Sequence, residues 1–137
     1  MKKSLAALIL FALPLPAFAA LPVGTKAPAI NTQASLAGKP FAFSLSAALK
    51  KGPVVLYFYP AAFTQGCTIE AHEFAEATDD FRKEGATVIG ISADNIDTLN
   101  RFSREGCRDK FAVASASPAV IKAYDVVFPK RPTLSDR

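Results

Sequence analysis

Val54-Val55-Leu56-Tyr57-Phe58-Tyr59 runs directly into Pro60, then through Ala61-Ala62-Phe63-Thr64-Gln65-Gly66 to Cys67. An unbroken apolar, β-branched and aromatic run reads as a strand buried on both faces, the kind found centrally in parallel sheets. Pro60 has no N–H to give and ends it. Downstream, residues 67–84 read as a helix. Cys67, Ala71, Phe74, Thr78 and Phe81 form one stripe at helical spacing. Glu70 and Glu73 lie early and Arg82 and Lys83 late, as the helix dipole favours, with Gly85 placed as a C-cap. Residues 86–92 read as a second buried strand. Asp94 or Asn95 can cap the next helix, which turns Ile96, Leu99 and Phe102 inward and ends at Gly106. Residues 111–115 read as a third strand, and Ser117-Pro118 opens a short helix to about Tyr124. Upstream, residues 21–52 read as loops, short strands near Ile30 and 41–45, and a small helix around 46–50. Residues 129–137 read as irregular. Strands alternating with helices predict an α/β domain: a central, mostly parallel sheet flanked by helices. Functional groups in such sheets gather at the carboxyl ends of strands. Residues 60–67 occupy such a position.

The N-terminus is a separate unit. Met1-Lys2-Lys3 is a short basic start, residues 5–15 are nearly all apolar, and Ala17-Phe18-Ala19 has the small-x-small pattern of a cleavage site. The apolar run is shorter than the ~20 residues that span a bilayer, and Pro14 and Pro16 interrupt it. Residues 1–19 are therefore expected to be a signal peptide, with residues 20–137 as the mature domain, periplasmic or secreted and free of the membrane after cleavage.

The 137-residue chain is 50% hydrophobic, enough to bury one core. Lys2 and Lys3 supply two of its four net positive charges and leave with the signal. No dense basic run remains to suggest nucleic acid or a membrane-surface helix. His72 is the sole histidine and the cysteines are Cys67 and Cys107, so no plausible zinc set exists. An oxidising compartment permits a disulfide between those two cysteines.

Cys67 falls in the first turn of its helix, where unpaired N–H groups and the positive end of the dipole favour thiolate over thiol. The thiolate is the nucleophilic form. Thr64 lies three residues earlier; if it already turns toward helical geometry, its hydroxyl and the thiol share a face. Pro60 can wall the pocket. Position alone leaves two readings open, a reactive thiol and a small buried hydrophobe.

The stretch 60–67 has the form P-x-x-x-T-x-x-C and resembles the peroxiredoxin family. Tyr57-Phe58-Tyr59-Pro60 and Phe63-Thr64-x-Gly66-Cys67-Thr68 look most like its Q-type, or bacterioferritin-comigratory, branch. The resemblance covers roughly residues 22–137. It implies a thioredoxin-like fold and a thiol-dependent peroxidase acting on hydrogen peroxide and organic hydroperoxides in antioxidant defence. Cys67 resembles the peroxidatic cysteine, which becomes sulfenic acid. Thr64 would orient the peroxide, Pro60 would shield the sulfur, and N–H groups near Gly66 and Cys67 would stabilise the developing oxyanion. An arginine completes such sites; Arg137 is the candidate, Arg131 the weaker alternative. An external thiol reductant, either a thioredoxin- or glutaredoxin-like protein or a small thiol, is the implied partner. No cofactor is implied, and such proteins are monomers or homodimers.

Two departures accompany the resemblance. The domain at 20–137 is expected to be a C-terminally truncated piece of a longer protein, without the family's last two strands and final helix, so the strand at 54–59 would lose a neighbour and leave an unpaired edge. Many Q-type members carry a resolving cysteine where this chain has His72, which is expected on the helix surface. Cys107 is the other possible resolver, provided the two Cα atoms come within ~7 Å. Two other classes remain open: a thioredoxin-like disulfide oxidoreductase, which usually needs a C-x-x-C absent here, and a non-enzymatic redox-sensing domain with inert or statically bridged cysteines.

Overall fold

A computed structural model describes residues 20–128. The proposed signal segment, Arg131 and Arg137 lie outside those residues. Nine elements follow in order: β1 (Asn31–Leu36), β2 (Lys39–Ser44), α1 (Leu45–Leu49), β3 (Val54–Phe58), α2 (Gln65–Lys83), β4 (Thr87–Ser92), α3 (Ile96–Glu105), β5 (Ala112–Ser115) and α4 (Pro118–Ala123). The strands form one sheet in the order β2-β1-β5-β4-β3.

The sheet is mixed. β3–β4 and β4–β5 are parallel, joined through α2 and α3, whereas β1 pairs antiparallel with both β2 and β5. The expectation of a mostly parallel sheet therefore holds only for its β3-β4-β5 half. The β1–β2 hairpin is too short in sequence for a crossover helix and must turn back on itself.

β3 departs from expectation as well. It is half-buried along its whole length, not buried on both faces. Among the described residues it has a partner only on its β4 side and forms the sheet edge, so its apolarity overstates its burial.

Side chains alternate across the sheet with period two. Val55, Tyr57, Val88 and Val113 pack with Ala71, Phe74, Ala75, Leu99 and Phe102 of α2 and α3. Val54, Leu56, Phe58, Ile89, Ile91, Ala112 and Ala114 face the other way, onto Leu45, Val120, Ile121 and Tyr124. Order β3, β4, β5 means two successive crossovers in one direction; with a common hand they place α2 and α3 on the same face. Gly90 stands opposite Tyr57 in the ladder, and a Cβ there would lie 2.8 Å from the phenol ring. The absent side chain makes room for Tyr57.

The helices end as their chemistry dictates. At the α2 C-terminus Gly85 takes φ +75, its N–H donates to Arg82 O and the Ala86 N–H to Phe81 O. This Schellman pattern needs a residue tolerant of positive φ. Asn95, not Asp94, caps α3 by accepting from Thr98 N at 2.9 Å. Ser117 caps α4, with Pro118 at its first position.

Candidate active site

The Tyr59 N–H donates to Ile91 O at 2.9 Å, carrying the β3–β4 ladder one residue past β3. Pro60 cannot continue it. The chain leaves the sheet there, and residues 60–64 form a loop over the carboxyl ends of β3 and β4. Pro60 is exposed. Three contacts hold this loop from outside. The Ala62 N–H donates to Asp94 Oδ2 at 2.7 Å. The Phe63 ring meets Phe102 edge-on, 5.2 Å between centroids. The Arg101 guanidinium lies 4.9 Å from the Phe63 ring centre, a cation–π contact worth about 0.5–1 kcal/mol at an exposed site. Phe63 itself sits at φ +64, a left-handed conformation unfavourable for a bulky residue, so the loop depends on these restraints.

Helix α2 begins at Gln65, so Cys67 is its third residue. Thr64 is the N-cap, with extended backbone (φ −71, ψ 152) and no side-chain cap bond. A face shared with Cys67 would require helical geometry at Thr64, and that condition is not met. The Thr64 hydroxyl instead donates to Ala61 O at 3.2 Å, which leaves the oxygen's lone pairs for another donor. The first N–H groups of a helix have no intrahelical partner, and Thr64 supplies none from its side chain. Cys67 is 8% exposed, under this loop and against the apolar face of α2.

Cys107 follows α3 and is fully buried in the same apolar cluster. Both cysteines are free thiols. Burial pushes the Cys107 thiol up to about 12. Tyr57 and Tyr59 share the cluster, 5.6 Å between ring centroids. Burial, reinforced by the nearby thiols, pushes both phenols well above their ordinary value. Among the described residues, neither hydroxyl has a hydrogen-bond partner. Ser92 is the polar neighbour of Tyr59, but its proton is committed to Asp94 at 2.7 Å. His72 is half-buried on α2, a little more enclosed than the surface position expected. Among the described residues, no group of three or more His, Cys, Asp or Glu side chains converges to hold a metal.

Pro60, Thr64 and Cys67 thus lie on one loop–helix junction. Sequence reasoning places Phe63 in this stretch but does not find Asp94 and Arg101 as part of it. Asp94 had a signal, an acidic residue at the carboxyl end of a buried strand. Arg101 had none, because its contact with Phe63 joins elements distant in sequence.

Residues 23–135 match the AhpC/TSA family. The chain belongs to that family. This AhpC/TSA chain is 46% identical over 82 residues to a putative peroxiredoxin of Mycobacterium tuberculosis, covering 60% of this chain and 53% of the relative. It is 41% identical over 68 residues to a chloroplastic peroxiredoxin Q of Sedum lineare, covering 50% of this chain and 35% of the relative. It therefore spans between about a third and a half of these curated relatives. Among solved structures, peroxiredoxin Q of Xanthomonas campestris superposes with a TM-score of 0.60 at 32% identity, over 72% of this chain and 61% of that one. A cysteine-to-serine mutant of Xylella fastidiosa PrxQ gives 0.63 at 30% identity, over 79% and 64%. The AhpC/TSA chain has their thioredoxin-like peroxiredoxin fold, a mixed sheet flanked by helices.

Proposed function

We propose that this chain is a thiol-dependent peroxidase of the Q type, and that Cys67 is its peroxidatic nucleophile. The observation that carries the reading is Cys67 at the third position of α2, behind a restrained P-x-x-x-T loop with unpaired helix N–H groups beside it. The Cys67 thiolate attacks the terminal oxygen of hydrogen peroxide or an alkyl hydroperoxide. The S–O bond forms as the O–O bond breaks, and the departing oxygen leaves as water or an alcohol after taking a proton. The N–H groups of Gly66 and Cys67 stabilise the charge developing on oxygen. Thr64 orients the peroxide, Pro60 borders the site, and Arg137 supplies the cationic side chain.

Cys67 is left as sulfenic acid. An external thiol condenses with it, releasing water, and a second thiol releases Cys67 with a disulfide as product. Cys107 is the candidate internal replacement for the first of these thiols; its burial requires the packing around it to open. Cleavage after Ala19 would deliver the domain, as a monomer or homodimer, to the periplasm or outside the cell.

The test is peroxide consumption by the reduced full-length chain with a dithiol reductant. Cys67→Ser is expected to abolish it and Cys107→Ser to leave sulfenic acid formation intact. Unchanged turnover in Cys67→Ser would sink the reading. Absence of residues 1–19 from protein recovered from the periplasm tests the export assignment.

A further inference from the structure

The peptide unit joining Ala61 to Ala62 is gripped on both sides. Its N–H, on Ala62, donates to Asp94 Oδ2 at 2.7 Å. Its carbonyl, on Ala61, accepts the Thr64 hydroxyl at 3.2 Å. A trans peptide is a rigid plane whose N–H and C=O point in opposite directions. Turning one turns the other. The orientation of Thr64 is thereby tied to a carboxylate that belongs to a different element.

That carboxylate is itself anchored outside the loop. The same Oδ2 accepts the Ser92 hydroxyl at 2.7 Å, and Ser115 Oγ donates to the Asp94 carbonyl at 2.7 Å. Asp94 is thus fixed to the carboxyl ends of both β4 and β5. The loop cannot supply this order alone, because Phe63, between Ala62 and Thr64, is held in a left-handed conformation that side-chain-bearing residues avoid.

Resting on the peroxidase reading, we propose that Asp94 is a positioning residue for Thr64. Through the Ala61–Ala62 peptide it commits the Thr64 proton to Ala61 O. It thereby presents the hydroxyl oxygen as an acceptor for the O–H of the incoming peroxide. Asp94 does not touch the peroxide, and no bond is made or broken at it. Its contribution is direction, which matters because nucleophile and peroxide must be aligned within a fraction of an ångström.

Two reagents separate this role from a structural one. Hydrogen peroxide needs the Thr64 acceptor; iodoacetamide reads only the access and nucleophilicity of Cys67. In the reduced full-length chain, Asp94→Ala should slow the peroxide reaction about 10- to 100-fold and change alkylation less than about threefold. Asp94→Asn, whose amide oxygen still accepts the Ala62 N–H, should restore the peroxide rate to within about threefold of wild type. Combining Asp94→Ala with Thr64→Val should be no slower than Thr64→Val alone. Equal slowing with both reagents, or additive losses in the double variant, would overturn the assignment. If Asp94→Ala does not fold, amide exchange at Ala62 in the reduced wild type decides. Protection of at least about tenfold supports the anchor, and exchange at the free-peptide rate overturns it. A wild-type chain no faster with peroxide than a simple thiol would instead bring down the peroxidase reading, and this proposal with it.

Discussion

Cys67 and Cys107 share one apolar cluster, yet their surroundings are opposite. Cys67 lies in the first turn of a long helix, at the carboxyl ends of the strands, beneath a loop held by Asp94, Phe102 and Arg101. Cys107 lies behind α3, where its N–H donates to Phe102 O at 3.0 Å and its carbonyl accepts from Lys110 N at 2.9 Å. Its thiol is fully enclosed, and burial favours the neutral form. On the peroxidase reading proposed above, the same residue type serves chemistry in one region and packing in the other. Being in a core does not separate them. What separates them is the polar scaffolding of the loop over Cys67 and the start of a long helix at its sulfur.

The largest expected effect tests that contrast directly. Burial raises the Cys107 thiol from 9.0 to about 12, which lowers its thiolate fraction at neutral pH about a thousandfold. Iodoacetamide should label Cys67 in the native chain and reach Cys107 only after denaturation, as peptide mass mapping would report. Comparable native labelling at both sites would erase the distinction.

Phe102 is the wall between the two regions. Its ring meets Tyr59 and Phe63, and a Cβ on Gly106, beside Cys107, would lie 2.4 Å from it. Phe102→Ala should cost about 3–5 kcal/mol of stability in denaturant melts. The same variant should make Cys107 reactive toward alkylation in the native state. Lost stability with Cys107 still silent would show that other packing protects that thiol.

The smallest effect is a pH dependence. The folded state holds the Cys107 proton more tightly than the unfolded state does. The associated stability is complete below pH 9 and falls as the pH rises from 9.0 toward about 12. Tyr57 and Tyr59, both raised from 10.0, act in the same direction at higher pH. The melting temperature should fall as the pH rises through that window, and less steeply in Cys107→Ala. An identical slope in the variant would assign the whole effect to the tyrosines.

Much of this was legible in the sequence. The periodicities place β3, α2, β4, α3, β5 and α4 within a few residues of their observed bounds. The Ser117-Pro118 and Gly85 signals mark real helix ends, because caps are set by residues one turn apart. Burial is misread where it depends on neighbours: β3 is apolar enough for burial on both faces but is half-buried along its whole length. Asp94 and Asn95 look interchangeable as caps. Only the folded chain assigns Asn95 to α3 and turns Asp94 toward Ala62.

The sequence by itself determined the strand–loop–helix unit and the position of Cys67 within it. Those follow from contiguous residues: an apolar run, a proline that stops it, and a motif at fixed spacing. The tertiary structure alone decided the strand order, the clasp of Asp94, Arg101 and Phe102 around the loop, and the enclosure of Cys107. Each of these is a contact between elements far apart in the chain, and local periodicity carries no record of which distant side chain will arrive there.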